Sequence, residues 1–209
     1  MTTLSIAALP PPEAYRLLVS LVIPRPIGWV ASVGADGTRN LAPFSFFNMV
    51  GGPPPTVMLS IGRRRHAEKD TLRNARETGE LVVHLVDEAL AGAANHTSGE
   101  WEYAVDEIEA AGLDVVPADV VRPPRLRDAP AALECRVSQI IPVGDTPYTM
   151  VLAQVLRLHL REGLLGPDGL VDARVLRPVA RLGRDEWATL GEIFSLARPS
   201  GYARYHPFP

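Results

Sequence analysis

The sequence predicts a mainly β protein, a mostly antiparallel barrel of six or seven strands with a few peripheral helices. Three observations carry this reading. Twenty prolines and seventeen glycines are spread along the 209 residues, which forces frequent turns and argues against a bundle of long helices. Apolar residues recur with a strand-like period late in the chain, at Val151, Ala153, Val155 and Leu158. Turn signals such as Gly34-Ala35-Asp36-Gly37 separate short apolar runs.

Taken in order, residues 13–21 read as a short amphipathic helix, with Pro12 suited to its first turn and Pro24 ending it. Residues 27–33 form a strand, the glycine turn follows, and residues 41–50 return as its partner, broken at Pro43. Pro53-Pro54-Pro55 forces an extended link into a third strand, 56–61. A basic segment then opens a helix over 70–78, with Asp70 as N-cap and Gly79 as C-terminal stop. Residues 81–86 are a Val- and Leu-rich strand. Residues 87–112 read as helical and polar, capped by Asp87 and stopped by Gly112. Four prolines make 117–130 a surface loop, 133–141 and 149–160 are long strands, and 175–182 is a candidate last one. No repeat or linker divides the chain. It reads as one domain over 1–209, with a core of about 20–185 and flanking proline-rich arms at 1–12 and 199–209.

Composition narrows the function. A net charge of −3 gives no electrostatic case for nucleic acid or an anionic membrane surface. The longest apolar run, 17–23, is far too short to span a bilayer, and the N-terminus lacks the pattern of a signal peptide. The single cysteine, Cys135, excludes an internal disulfide and a cysteine-built metal cluster, and fits a reducing cytoplasm. The histidines 66, 84, 96, 159 and 206 show no metal-ligand spacing, so no metal site is expected. His84 stands apart because it falls within a buried strand. Asp106, Glu107 and Glu109 read as a solvated helix face, and Cys135 as a small core residue.

Three segments stand out chemically. Trp29 and Ser32 lie on the first strand, and its partner carries the tip Ala42-Pro43-Phe44-Ser45-Phe46-Phe47-Asn48. Pro43 locks its own φ and has no N–H, so neighbouring amides are freed from a regular ladder. From Ser60 to Asn74 the chain offers a strand-end hydroxyl, Arg63, Arg64, Arg65, Lys69, and a helix start with Thr71 in its first turn. Helix-start amides beside cations favour an anion, and arginine matches phosphate oxygens with a planar fork. Each segment also has a plain structural reading: a core tryptophan, an edge strand with packed aromatics, a solvated basic turn. Together they suit a flat heterocycle with a phosphate tail.

The run Pro24-Arg25-Pro26-Ile27-Gly28-Trp29-Val30-Ala31-Ser32, followed by Asn40 to Asn48, Pro54-Pro55, Lys69-Asp70-Thr71 and Asn74, resembles the flavin reductase-like, FMN-binding split-barrel family, most closely its flavoredoxin-type branch. Further matches are Gly79-Glu80-Leu81-Val82-Val83, Ala111-Gly112-Leu113, Leu133-Glu134-Cys135 and Pro178 to Gly183, so the resemblance spans about 170 residues. It implies a Greek-key-like split β-barrel that binds FMN. It also implies that Ala42, Pro43, Phe44, Ser45 and Phe46 meet the isoalloxazine through backbone amides, closed by Asn48; the reading of the residues adds Trp29 as an apolar wall. Ser60, Lys69 and Thr71 would hold phosphate, joined by Arg63. Two positions depart from the family pattern: His84, where asparagine is usual, and Arg184, where a second glycine is usual.

The activity implied is an oxidoreductase in which flavin N5 takes a hydride from NADH or NADPH, with no side chain required as acid or base and hence no catalytic residue assigned. A homodimer is implied as well. The alternative is a flavoredoxin-like electron carrier without nicotinamide turnover. More distant readings are a barrel that has lost its ligand and a split barrel handling pyridoxal phosphate or haem. No Gly-x-Gly-x-x-Gly fingerprint marks a separate nicotinamide site.

Overall fold

The computed structural model of the protein describes residues 1–64 and 67–197. After a single 3₁₀ turn, helix α1 spans Pro11–Leu21, with prolines in its first turn where their missing N–H groups cost no helical bond. Strands β1 (Arg25–Pro26), β2 (Gly28–Val33), β3 (Arg39–Phe44), β4 (Phe47–Gly51) and β5 (Thr56–Gly62) follow. Helix α2 (Asp70–Thr78) leads into β6 (Glu80–Leu85), and the short helices α3 (Ala91–His96) and α4 (Glu107–Ala110) come next. Then come β7 (Val115–Val116), β8 (Arg125–Leu126), and the long strands β9 (Ala131–Pro142) and β10 (Tyr148–Leu160). Helix α5 (Ala173–Leu176), β11 (Val179–Arg181) and β12 (Trp187–Thr189) complete the described chain.

Seven strands form one antiparallel sheet in the order β3-β2-β6-β9-β10-β5-β4. The two edge strands, β3 and β4, are consecutive in the chain, separated only by Ser45 and Phe46. The sheet must therefore curl until β3 lies against β5, while the Ser60 N–H donates to the Phe46 carbonyl at 2.8 Å as the last rung of the β4–β5 ladder. This is the mainly β split barrel expected from the sequence. Alternate residues of the central strands feed two cores. Val30, Phe44, Phe47, Leu59, Ile61, Leu81, Val83 and Val151 fill the inside of the curl. Trp29, Ala31, Leu41, Val82, Ile108 and Leu126 pack on the outside, beneath α3 and α4.

Several expectations are corrected. Pro43 does not break its strand; it pairs opposite Trp29 in β3, an edge strand, where a missing N–H is tolerated. The break falls two residues later. Lys69 occupies the N-cap of α2, and the Asp70 carboxylate binds Arg73 at 2.7 Å. Gly79 does end that helix, at φ +69, a left-handed conformation that glycine adopts without penalty. Residues 87–112 hold two short helices rather than one, because Asp106 starts a new one by accepting from the Ile108 and Glu109 amides. Residues 175–182 contribute the end of α5 and then β11. The 117–130 segment is a loop, but it carries β8, which pairs with β7. His66, Arg65 and the arm 199–209 lie outside the described residues.

Two buried polar groups pin loops to the sheet. Glu134, wholly buried on β9, accepts from the Asp119 and Val120 amides at 2.8 and 2.7 Å and contacts His159 Nε2 at 2.5 Å. Burial pushes its pKa up, but these donors outweigh it and hold the carboxylate below the usual range. Asp119, Glu134 and His159 bring possible ligand atoms within 4.8 Å of one another. Protein donors already fill that cluster, since Asp119 also pairs with Arg157 at 2.6 Å. His84 is equally buried: Nδ1 lies 3.0 Å from the Trp29 carbonyl, and Nε2 accepts from the Leu126 amide at 2.9 Å. These bonds require the neutral ring, with its proton on Nδ1.

Burial lowers the His84 pKa to about 4, against 6.5 for a free histidine. The unfolded chain therefore binds the extra proton first, and stability that is complete above pH 6.5 falls as the pH drops toward 4. Glu107, raised to about 7 by burial, works in the opposite sense over much of the same range, so a difference measurement is needed. We predict that the wild-type advantage in unfolding free energy over His84→Gln shrinks by about 3 kcal/mol between pH 7 and pH 4. Urea denaturation at both pH values checks this, and a constant advantage would refute it.

Candidate functional site

The corner between β3 and β4 opens onto a cavity of about 440 Å³. Pro43, Phe44, Ser45 and Phe46 supply one wall, and Ser60, Gly62 and Arg63 at the end of β5 supply the next. Lys69 enters from the start of α2, and Tyr148 from the start of β10. Tyr15, Arg16 and Val19 of α1 and Arg181, Leu182 and Arg184 of the β11–β12 region close the far side. The Ser45 and Phe46 N–H groups lie outside the ladders and make no hydrogen bond among the described residues. They are donors without a partner at the cavity wall, which is what the bend after Pro43 creates.

The cavity is strongly cationic. Lys69 is half-buried, its ammonium 5.4 Å from the centre of the Phe44 ring, with no ion pair among the described residues. Burial, then the charge of Arg64, holds its pKa below the usual lysine range. A half-buried ammonium without a carboxylate is costly unless an anion joins it. Arg63 is exposed at the rim and likewise has no side-chain partner among the described residues. The pKa of the Tyr148 hydroxyl is pushed up to about 12 by burial and by its bond with Tyr15, so it stays protonated. Its ring tilts against Phe46 at 5.8 Å.

A smaller cavity of about 50 Å³ lies on the other side of Lys69 and is lined by Ala42, Thr71, Glu107 and Trp101 among others. Glu107 accepts from the Leu41 amide at 3.0 Å and is buried, not solvated, which explains its raised pKa.

Of the residues singled out in the sequence, Pro43, Phe44, Ser45, Phe46, Ser60, Arg63 and Lys69 converge on the larger cavity. Ala42 and Thr71 reach only the smaller one. Thr71 is buried and its hydroxyl meets Asn40 at 2.9 Å; Asn40, Ser32 and Asn74 continue this network and fasten α2 to the β2–β3 hairpin. Its side chain is thus turned away from a ligand in the larger cavity. Trp29 is a correction: it is fully buried in the outer core, and its indole N–H donates to Thr97 Oγ1 at 2.8 Å, so it forms no wall. Asn48 is another: it lies exposed on β4, binds its neighbour's amide, and lines neither cavity.

Sequence reasoning missed Tyr15, Arg16, Tyr148 and Arg181, which arrive from elements far away in the chain, and marked Arg184 only as a departure from the family pattern. Arg25 had a visible signal, sitting between two prolines beside the chosen strand. Its guanidinium donates to the carbonyls of Val19, Val22 (3.0 Å) and Leu182 (2.7 Å), and Nε lies 3.5 Å from Ser45 Oγ. It ties the end of α1 to the β11–β12 region and to the corner at once. Burial, then the nearby Arg181, lowers its pKa.

The family model described as "Flavin reductase like domain" matches residues 20–179. Protein BH2278 of Halalkalibacterium halodurans is 40% identical over 193 residues, 90% of this chain and 92% of that protein. The crystal structure of nitrilotriacetate monooxygenase component B from Bacillus cereus superposes with a TM-score of 0.90 at 36% identity, covering 94% of this chain and 98% of that one. The 2-nitrobenzoate 2-nitroreductase NbaA of Pseudomonas fluorescens gives 0.87 at 30% identity, covering 97% and 99%.

Arg25→Ala leaves two carbonyls at the end of α1 and one at Leu182 without their charged donor. Since a charged hydrogen bond contributes about 1.5–3 kcal/mol, α1 should detach before the barrel unfolds. Hydrogen exchange and limited proteolysis should show residues 11–22 opening while β9 and β10 stay protected; unchanged protection of α1 would refute the clamp.

Proposed function

The chain belongs to the flavin reductase-like domain family and is a flavin oxidoreductase; from that premise we propose that its flavin is FMN and that it oxidises NADH or NADPH. One observation carries the reading: Lys69, half-buried and without an anion among the described residues, lines the same cavity as two unbonded amides at Ser45 and Phe46. A ligand that is an anion at one end and a flat ring edged with acceptors at the other satisfies both. In this reading Lys69, Arg63 and the Ser60 hydroxyl hold the phosphate, and the β3–β4 corner holds the ring edge through its backbone. Phe44 and Phe46 supply apolar surface. The start of α2 adds partial positive charge, because no side chain caps its first amides. The role first expected of the Thr71 hydroxyl passes to this backbone.

Bound flavin would supply the redox chemistry, accepting and returning a hydride at N5. The chain's task is to bind, orient and exclude water. No residue lining the cavity is required as an acid or base. The cationic far wall suits the phosphates of a nicotinamide nucleotide laid against the exposed ring face. The electron-carrier alternative shares the cradle but has no use for that wall.

A homodimer fits the surface. Leu17, Leu18, Leu21 and Val22 of α1 and its end are exposed, as are Met49 and Val50 of β4. Exposed apolar side chains of this kind suit burial against a second copy of the chain. No helix among the described residues is long and apolar enough to cross a membrane. We place the reaction in the cytoplasm, where the lone buried Cys135 would remain reduced.

Purified protein should bind FMN and turn yellow, and NADH or NADPH should bleach the flavin band at least as fast as turnover in stopped flow. Slow bleaching would reject the reductase reading in favour of the carrier. Lys69→Ala should weaken FMN binding roughly ten- to a hundredfold, corresponding to about 1.5–3 kcal/mol for one charged hydrogen bond. Equal affinity in a fluorescence titration would remove Lys69 from the cradle.

A further inference from the structure

Beside the flavin cavity lies a second, of about 550 Å³, lined by Arg16, Val19 and Ser20 of α1 and by Gly183, Arg184 and Glu186 of the β11–β12 turn. Arg16, Val19 and Arg184 line both cavities, so the two adjoin. The turn is pressed against the helix: a Cβ added at Gly183 would come within 2.8 Å of Ser20 Cβ. Arg181 holds the turn from inside, donating to the carbonyls of Arg184 at 2.7 Å and Glu186 at 3.3 Å, and its guanidinium stands 5.5 Å from the Trp187 ring centre.

Arg184 has φ +52, a left-handed conformation that a residue with a side chain adopts at a cost and glycine adopts freely. The fold thus keeps a guanidinium where the backbone favours glycine. Neither Arg184 nor Arg16 has a side-chain hydrogen bond or ion pair among the described residues, and Glu186 is bonded to neither. Two guanidinium groups from separate elements therefore converge on one opening without a partner.

We propose that Arg16 and Arg184 form a second anion subsite, which takes the pyrophosphate of a dinucleotide electron donor. This rests on the FMN reading above, because the subsite adjoins the flavin cavity and would place the donor's reactive end toward it. Pyrophosphate fits two arginine forks better than a single carboxylate does, since it presents oxygens to both. Arg184 sets the choice of donor; it does not hold FMN.

Inorganic pyrophosphate titrated calorimetrically into FMN-loaded protein tests this. Wild type should bind it, and Arg184→Gly and Arg16→Gln should each weaken binding at least tenfold, with FMN affinity changed less than twofold. Arg184→Gly relieves the left-handed strain, so its melting temperature should equal or exceed that of wild type, which separates loss of binding from loss of folding. Pyrophosphate should also compete with NADH or NADPH in bleaching. The proposal is overturned if pyrophosphate fails to bind, binds both variants as well as wild type, or if Arg184→Gly loses FMN affinity to the same degree. It is also overturned if benzoate competes with the donor and pyrophosphate does not, which would assign the arginines to an acceptor carboxylate. Should wild type fail to take up FMN, the flavin reading fails; the same isotherm on ligand-free protein still decides the subsite.

Discussion

Because β3 and β4 are the opposite edges of one seven-stranded sheet and yet neighbours in sequence, Ser45 and Phe46 must turn the chain from one edge to the other. The Phe46 carbonyl takes the last rung of the β4–β5 ladder, from the Ser60 amide, while the amides of Ser45 and Phe46, two residues that line the cavity, stay outside any ladder. The curl of the sheet and the hydrogen-bonding capacity of the site are therefore one constraint seen twice. Anything that relaxed the corner into a regular hairpin would flatten the sheet and bond those amides internally.

The surroundings of that corner are held by buried and half-buried polar groups that bond to more than one element. Arg25 gathers carbonyls from α1 and from the β11–β12 region, so one side chain joins the two elements of the far wall, beside the β1–β11 ladder. The Ser32, Asn40, Thr71 and Asn74 network sets where α2 begins and hence where Lys69 points. His84 and Glu134 do the same for the loop that covers the outer core. Polar groups with such partners specify geometry more than they add stability, because each would be expensive to leave unbonded.

Around the cavity, by contrast, Lys69, Arg63, Arg16 and Arg184 have no anionic partner among the described residues. The contrast is informative, since most other arginines on the described chain find a carboxylate or carbonyl nearby, as Arg39, Arg122, Arg157 and Arg161 do. Cations left free beside aromatic rings and open amides belong to a surface that binds anions, and the family's flavin chemistry is consistent with it.

Local chemistry by itself determined the β class, most strand positions, the glycine that ends α2, and the Pro43 to Phe46 segment as the place where amides come free. These follow from side-chain period and from what proline and glycine do to their own backbone, which no distant contact needs to supply. It also singled out Lys69 and Arg63, because a run of cations before a helix is visible in one dimension. Only the tertiary structure decided that Trp29 is core and Thr71 is knotted into a polar network, since burial depends on what α3, α4 and β3 lay over them. It alone brought Arg16, Tyr148 and Arg184 to the same opening, across more than 160 residues of chain. Spacing along a sequence records local geometry; the closing of a curled sheet brings distant residues together, and that is where the rest of the site came from.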